Sequence, residues 1–406
     1  MVMVPAGRWI ARLSGAFQSP GQDLENRKNI FGYTTARAGR SAYARTSCAF
    51  LWCIHKHFDK KCLGANRVAG TMRGRTISKP RAFREAPPSQ VMQGDTLLIK
   101  SGGAAALTEW QHHFARLMPG LRVYGWDDPF VDARCVKYAL VYQPEHGRLA
   151  HYPRLRLILS AAAGVDHILA DPALPADVPI VRMVTQETRE RMSDFVTFAA
   201  LAAVRDMPAI VAAQRDGRWA NELTGRLARD TRVSVLGLGE LGRAVATRLH
   251  ANGFRVSGWA RTPKALADVR VFAGQAQLDA LLAETDILVN LLPDTLATRG
   301  ILGRKLFARL PAGASLIQVG RGAHLDRQAL VDALDSGRLR SAVVDVFDIE
   351  PLPPDDALRR HPKILVTPHV ASSASYAARA RQVADVLGAH LRGAPLPFVY
   401  DALRGY

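Results

Sequence analysis

The 406-residue chain has only four cysteines, too few for the disulfide framework of a small secreted protein. It also lacks an apolar run of membrane-spanning length, because residues 195–213, the best candidate, are interrupted by Arg205, Asp206 and Pro208. With 48% hydrophobic and 22% charged residues, the composition is that of a soluble protein long enough for two or three domains. We therefore expect a reducing, cytoplasmic setting and no membrane partner.

Acidic residues are scarce at one end of the chain, where residues 1–94 contain 16 Lys and Arg against 4 Asp and Glu. The net charge of +18 would suggest a nucleic-acid or membrane-surface partner if it were spread over the fold. Residues 1–94 carry +12 of it, and the other 312 residues carry +6, which suits an enzyme of anionic substrates. We expect no nucleic-acid partner. Such a role would predict salt-sensitive binding that disappears when residues 1–91 are deleted.

Residues 1–94 also lack a sustained helical or strand period. Within them lie three cysteines and two histidines: Cys48, Cys53, His55, His57 and Cys62. Their spacing matches no familiar zinc finger, so we expect no metal site. The Arg-rich, acid-poor composition also fits an organellar transit peptide. We favour a third interpretation, in which the segment is a disordered extension that is not native and the chain starts near Met92.

From Asp95 onward, short apolar segments alternate with helix-length ones. The first series has predicted strands at 96–99, 121–124, 138–142, 155–160 and 180–183, and predicted helices at 108–117 and 191–215. A second series begins after the turn-rich stretch 217–231. Alternation of this kind indicates parallel α/β units.

A glycine-rich turn opens the second series. A buried strand at 233–236 runs into this turn, and a helix follows at 243–251; the turn contains Gly237, Leu238, Gly239, Glu240, Leu241 and Gly242. This is G-x-G-x-x-G in the strand–turn–helix context that the motif requires. Gly237 permits the tight turn, Gly239 lets backbone amides approach a pyrophosphate, and Gly242 lets the helix pack on its strand. The turn predicts a dinucleotide site.

The next predicted strand, 254–259, is not followed by an acidic residue. An NAD-type site places Asp or Glu there to bind the ribose 2′-hydroxyl. The chain instead has Arg261, Thr262 and Lys264, an environment that attracts a 2′-phosphate. We predict that NADP(H) is the preferred cofactor and leave NAD(H) open; the alternative is a solvated basic loop.

Three further strands of the second series end in polar side chains of complementary character. Arg321 lies between two glycines, Glu350 precedes a proline, and His369 ends a Thr-Pro-His sequence. In an open parallel sheet the ligand crevice lies at the carboxyl ends of the strands, so these groups are candidates for one site. Each alone could be an ordinary surface or capping residue, but their combination favours a site.

Taken together, the sequence resembles the D-isomer-specific 2-hydroxyacid dehydrogenase family, and most of all its NADPH-dependent glyoxylate/hydroxypyruvate reductase A branch. The matching pieces are the glycine turn, Leu292-Pro293-Asp294-Thr295, Val319-Gly320-Arg321-Gly322, the acidic stretch from Asp345 to Glu350-Pro351, and Thr367-Pro368-His369. Segments 259–262, 347–354 and 401–406 point to that branch. The similarity covers roughly 96–406.

The resemblance implies a role for each matching residue. Arg321 would hold the substrate carboxylate and polarise its carbonyl, His369 would be the general acid/base, and Glu350 would orient that histidine. Backbone amides at Ala163 and Gly164 would bind the carboxylate, and Tyr142 would face the substrate. The implied cofactor contacts are Leu292, Pro293, Val319, Gly320 and Asp345. Of these, Asp345 could equally be a structural acid.

The expected fold is α/β, with a flavodoxin-like and a dinucleotide-binding parallel-sheet domain facing each other across a cleft. Residues 95–198 and 372–406, including a helix at 372–391, would form the substrate domain, and residues 199–371 the cofactor domain. The expected reaction is reduction of glyoxylate to glycolate and of hydroxypyruvate to D-glycerate. Alternatives are a phosphoglycerate or D-lactate type of dehydrogenase, or a dinucleotide-sensing corepressor or scaffold. The resemblance also implies a homodimer through the cofactor domains.

Overall fold

The computed structural model describes residues 94–405. These residues form two parallel β-sheets flanked by helices, which confirms the predicted α/β fold. The hypotheses about the basic extension, its cysteines and histidines, and a start near Met92 lie outside the described residues.

The first sheet has five strands: β1 (Thr96–Lys100), β2 (Arg122–Gly125), β3 (Val136–Val141), β4 (Leu157–Ser160) and β5 (Ile180–Val181). They pair in the order β2-β1-β3-β4-β5, and every pairing is parallel. This is the flavodoxin-like strand order. The central strands are almost wholly buried, as expected for a parallel sheet covered on both faces.

The second sheet has seven strands: β6 (Arg232–Leu236), β7 (Arg255–Ala260), β8 (Arg270–Ala273), β9 (Ile287–Asn290), β10 (Ala314–Gln318), β11 (Leu339–Val344) and β12 (Ile364–Val366). They are all parallel and pair in the order β12-β11-β10-β9-β6-β7-β8. This is the doubly wound dinucleotide-binding order with one added edge strand. Its crevice lies between β6 and β9, where the strand order reverses.

The helices are α1 (Gly103–Leu117), α2 (Asp166–Leu169), α3 (Gln186–Val204), α4 (Met207–Arg215), α5 (Glu240–Ala251), α6 (Gln275–Ala283), α7 (Arg304–Phe307), α8 (Arg327–Asp335), α9 (Ala357–Arg360) and α10 (Tyr376–Leu391). The first helix begins five residues before its predicted start. The last begins four residues after its predicted start, because Ser375 caps it by accepting a hydrogen bond from the backbone amide of Ala378.

The single helix predicted at 191–215 is wrong, because the chain forms two helices, α3 and α4, bent by 66°. At the break Asp206 has a left-handed backbone (φ 55°), and its buried carboxylate is paired with Arg340 on β11. Pro208 then occupies the first turn of α4, where its missing amide hydrogen costs nothing. Among the described helices, none is by itself long and apolar enough to cross a membrane; α3 and α4 pass that test of length and composition only as a bent pair.

Two helices connect the sheets. Helix α3 leaves the first sheet and packs against the core of the second, where Val196, Ala199 and Ala203 are buried with Val233 and Val245. Helix α10 returns the chain to the first sheet, and its buried side chains join the core around Leu97 and Trp110. The chain thus passes between the two sheets twice, and residues of both sheets line one cleft.

Candidate active site

The carboxyl ends of both sheets open on one cleft of about 1340 Å³. This exceeds the roughly 300–1,000 Å³ of a pocket for one drug-sized molecule. All the predicted site residues line it: Tyr142, Ala163, Gly164, Gly237, Leu238, Gly239, Glu240, Leu241, Gly242, Arg261, Thr262, Lys264, Leu292, Pro293, Val319, Gly320, Arg321, Asp345, Glu350 and His369. The topology therefore brings the sequence-predicted set together.

His369 and Glu350 form a hydrogen-bonded pair in the cleft. The Nδ1 atom of His369 lies 2.8 Å from Oε2 of Glu350. The other carboxylate oxygen of Glu350 accepts a hydrogen bond of 2.9 Å from the backbone amide of Phe347. The carboxylate is thus fixed from both sides, and it leaves Nε2 of His369 as the ring nitrogen available to a ligand.

The loop that carries His369 is held by Asp345. The buried carboxylate of Asp345 accepts hydrogen bonds from the Thr367 hydroxyl (2.6 Å) and from the amides of Val370 (3.0 Å) and Ala371 (3.1 Å). The amide of His369 donates to the carbonyl of Asp345 at 2.9 Å. These bonds flank His369, whose backbone is left-handed (φ 54°). Asp345 therefore positions the histidine, while its contact with a cofactor stays a prediction.

Arg321 reaches from the second sheet to the first. Its Nε donates to Oδ1 of Asp166 at 2.9 Å, and its Nη1 donates to the carbonyl of Gly320 at 2.8 Å. Burial alone would raise the pKa of Asp166, but the Arg321 guanidinium outweighs it and the pKa is lowered. A Cβ at Gly164 would lie 1.6 Å from Nη2 of Arg321, so the guanidinium needs a bare backbone there. Sequence reasoning did not assign Asp166 a role, although an acid in this loop was a usable signal.

A buried network behind Arg321 was also missed. Asn290 donates through Nδ2 to Oε1 of Gln318 (2.7 Å) and to Nδ1 of His324 (2.9 Å), and the amide of Arg321 donates to the same Nδ1 (3.2 Å). The Nε2–H group of His324 then donates to the carbonyl of Pro293 at 3.1 Å. Burial lowers the pKa of His324 to about 4, so the ring is neutral, as this pattern requires. Asn290 and Gln318 are polar residues at the carboxyl ends of buried strands. The same pattern predicted Arg321 as a site residue, so it could also have identified these two.

A second network shapes the loop that faces Arg321. The amide of Gln143 donates to Nδ1 of His167 at 3.1 Å, which leaves the proton on Nε2, 3.2 Å from the Ser160 hydroxyl. Ser160 in turn donates to the carbonyl of Gly164 (2.7 Å) and accepts from the amide of Ala162 (3.1 Å). Burial lowers the pKa of His167 to about 4. The neutral ring therefore holds the predicted carboxylate-binding loop in one conformation.

Tyr142 lies beside this second network. Its ring centroid is 4.8 Å from that of His167, and it is partly exposed to the cleft. Burial raises the pKa of Tyr142, so its hydroxyl keeps its proton at neutral pH and can donate a hydrogen bond to a ligand.

The glycine turn fits a dinucleotide. Gly239 precedes α5 and offers no side chain to cap the first amides, which leaves them to an anion. Gly237 has a positive φ of 95°, and a Cβ at Gly242 would lie 1.8 Å from the Gly237 carbonyl oxygen. The close approach of turn, strand and helix therefore depends on these glycines.

The basic loop after β7 lies beside the glycine turn. Lys264 donates through Nζ to the carbonyl of Leu238 at 2.8 Å, and Arg261 donates through Nη2 to the carbonyl of Arg404 at 3.0 Å. Thr262 lines the same part of the cleft. This arrangement suits the additional phosphate of NADP(H). Among residues 94–405 there is no cluster of three or more His, Cys, Asp or Glu side chains that could hold a metal ion.

A doubly wound sheet with a glycine turn at its switch point, facing a histidine–carboxylate pair and an arginine, defines a nicotinamide-dinucleotide-dependent dehydrogenase. Residues 197–371 match the family described as D-isomer specific 2-hydroxyacid dehydrogenase, NAD binding domain. The chain belongs to this family.

Named relatives and solved structures support the same family membership. The chain is 37% identical over 303 residues to glyoxylate/hydroxypyruvate reductase A of Serratia proteamaculans, covering 73% of this chain and 96% of that one. A D-isomer specific 2-hydroxyacid dehydrogenase of Xanthobacter autotrophicus in complex with NADPH is 39% identical, with a TM-score of 0.73 over 78% of this chain and all of the other. The NADPH-dependent glyoxylate/hydroxypyruvate reductase of Sinorhizobium meliloti is 35% identical, with a TM-score of 0.72 over 77% of this chain and all of the other.

The second and third glycines of the turn should respond differently to alanine. Gly242→Ala should lower the Tm of the cofactor-free protein by roughly 5 °C or more, because its Cβ meets the Gly237 carbonyl. Gly239→Ala should leave that Tm unchanged, since a Cβ there has no neighbour within 4 Å, yet it should weaken NADPH binding about tenfold or more. Thermal denaturation and NADPH titration measure both effects. Equal Tm losses would contradict this interpretation of the turn.

The buried neutral histidines should make the protein acid-sensitive above the range where carboxylates titrate. The pKa values of His167 and His324 are lowered to about 4, so only the unfolded chain takes up these protons between pH 6.5 and 4. The contribution of these histidines to the free energy of unfolding should be constant above pH 6.5. It should fall between pH 6.5 and pH 4, by roughly 3 kcal/mol for His324. Urea denaturation across this range should show a shallower fall for His324→Gln than for the parent and the control His112→Gln. Parallel curves would refute the assignment.

Proposed function

We propose that this protein reduces small 2-oxo acids with NADPH, converting glyoxylate to glycolate and hydroxypyruvate to D-glycerate. The observation that carries the proposal is the 2.8 Å contact between His369 Nδ1 and Glu350 in the same cleft as Arg321 and the basic loop. The names of the relatives, and the NADPH bound in the Xanthobacter structure, support the same substrates and cofactor.

We assign substrate binding to the half of the fold built on the first sheet and cofactor binding to the half built on the second. Residues 95–198 and 372–406 would bind the substrate, and residues 199–371 would bind the cofactor. The position of α10 against the core of the first sheet supports the assignment of the C-terminal residues to the substrate domain. Motion of one half against the other would open the cleft to ligands and close it against water.

Each polar group of the cleft has a defined task in this proposal. Arg321 binds the substrate carboxylate with its planar guanidinium, which stays charged, and the amides at Ala163 and Gly164 complete that site. Bound NADPH supplies the hydride that reduces the carbonyl carbon. His369 donates a proton from Nε2 to the carbonyl oxygen as negative charge develops there. Glu350 orients the ring through Nδ1 and stabilises the positive charge of its protonated form.

The cofactor would be held at three places. The amides of the glycine turn and the start of α5 would hold its pyrophosphate, and Arg261, Thr262 and Lys264, which line the same cleft, would hold its 2′-phosphate. Leu292, Pro293, Val319 and Gly320 line the adjoining part of the cleft. A carboxylate in place of Arg261 would repel the 2′-phosphate, so this loop favours NADPH over NADH.

We further propose that the protein is a cytoplasmic homodimer. An apolar surface supports the dimer: α3, α4 and the following loop expose Phe198, Leu201, Met207, Val211 and Trp219, the last of them 91% exposed. Large apolar side chains exposed on neighbouring elements are typical of protein–protein contacts, and a second copy of the same elements can cover them with two-fold symmetry. The scarcity of cysteine supports the reducing compartment.

Steady-state kinetics test the reaction. We expect the pure protein to reduce glyoxylate and hydroxypyruvate faster than pyruvate or phosphohydroxypyruvate, with a clear preference for NADPH. His369→Ala should lower kcat by about 100-fold or more while NADPH binding survives, because the proton donor is lost and the cofactor contacts are not. The exposed His112→Ala serves as the matched control. Absence of reduction of all four acids by the parent protein would overturn the proposed function.

The dimer is tested by disrupting its apolar face. Phe198→Glu combined with Val211→Glu should convert the dimer to monomers in sedimentation velocity, because two charges would have to be buried in the contact. Leu296→Glu, which charges an exposed leucine elsewhere, should leave the sedimentation coefficient unchanged. A monomeric parent protein at micromolar concentration would refute the dimer.

A further inference from the structure

The segment 398–405 contacts both sheets of the fold. It is attached to the edge of the first sheet, where the amide of Tyr400 donates to the carbonyl of Ile180 (2.8 Å) and the amide of Arg182 donates to the carbonyl of Phe398 (3.1 Å). Val399 pairs antiparallel with Val181 between these bonds. The segment therefore starts at an isolated antiparallel bridge to β5.

Beyond this bridge, the segment folds into a closed turn around Asp401. One carboxylate oxygen of Asp401 accepts hydrogen bonds from the backbone amides of Leu403 (2.9 Å) and Arg404 (3.2 Å). The backbone carbonyl of Asp401 accepts a hydrogen bond from the amide of Gly405 (2.8 Å). The other carboxylate oxygen lies 3.1 Å from Nε of Arg404. The turn is thus shaped by its own hydrogen bonds.

The closed turn reaches the cofactor side of the cleft. Nη2 of Arg261 donates to the carbonyl of Arg404 at 3.0 Å, and a Cβ at Gly405 would lie 3.3 Å from Cγ2 of Thr295. Arg261 follows β7 and Thr295 follows β9, the strands on either side of β6 and its glycine turn. Arg404 and Gly405 line the same cleft as Lys264. The segment therefore bridges the part of the cleft where the adenosine end of a dinucleotide would lie.

The charge of this region fits a phosphate. Arg404 lines the same cleft as Arg261 and Lys264 and adds a third positive charge to it. The Arg404 side chain is 70% exposed, so its pairing with Asp401 is weak and a phosphate dianion can compete for it. Arginine suits this role because its planar fork binds two phosphate oxygens at once.

We propose that segment 398–405 completes the cofactor site and selects NADPH over NADH. The Arg404 carbonyl orients Arg261 toward the 2′-phosphate, and the Arg404 side chain binds that phosphate directly. The inference rests on the proposed NADPH-dependent function and adds to it a specificity residue from outside the 199–371 domain. Because NADH has a hydroxyl in place of the phosphate, the contribution of the Arg404 side chain is confined to NADPH.

Equilibrium binding tests the inference without turnover. The Kd values of NADPH and NADH are measured by nicotinamide fluorescence for the parent, Arg404→Ala, Arg404→Glu, and a chain ending at residue 400. Arg404→Ala should raise the Kd of NADPH about 5- to 20-fold, because a charge-assisted contact at an exposed site is lost, and should change that of NADH less than about 2-fold. Arg404→Glu and the shortened chain should raise the Kd of NADPH further.

Leu403→Ala is the matched control, because Leu403 belongs to the same turn and its side chain is 97% exposed. It should leave both Kd values unchanged, and Arg404→Ala should keep the Tm of the cofactor-free protein. An unchanged ratio of the two Kd values in every Arg404 variant, or equal weakening of NADPH and NADH, would overturn the inference. A parent protein that fails to bind NADPH would instead overturn the proposed function on which the inference rests.

Discussion

The contact between Arg321 and the backbone at Gly164 is the constraint on which the cleft depends. It joins a loop of the second sheet to a loop of the first, with no Cβ between guanidinium and main chain. Asp166 fixes the guanidinium from one side, and the carbonyl of Gly320 fixes it from another. The buried networks through His324 and His167 stabilise the two loops that meet there. At this point the cleft is therefore lined by loops of both sheets.

Much of the architecture could be predicted from local patterns. Apolar strands alternating with helix-length segments identify parallel α/β units, and the glycine turn after β6 marks the strand where the sheet order reverses. The parallel topology then brings the predicted site residues together. Arg321, Glu350 and His369 follow different strands, yet they line one cleft because all these strands end at the same edge.

The features that sequence reasoning missed depend on contacts between distant residues. The bend between α3 and α4 rests on the pairing of the buried Asp206 with Arg340, 134 positions away. The partners Asn290 and His324 are 34 positions apart and meet only because β9 pairs with β10. A polar residue in an apolar segment signals that it has a partner, but the register of the strands decides which one.

The left-handed backbone at His369 has a consequence for the energetics of the site. A residue other than glycine in this region carries a strain of roughly 1–3 kcal/mol, which persists only where the surroundings impose it. The hydrogen bonds of Asp345 impose it here, on both sides of the histidine. The loop therefore acquires this conformation during folding, and binding of a ligand need not impose it. For the proton transfer that we propose, the imidazole is therefore preorganised, because its alignment is already present in the resting protein.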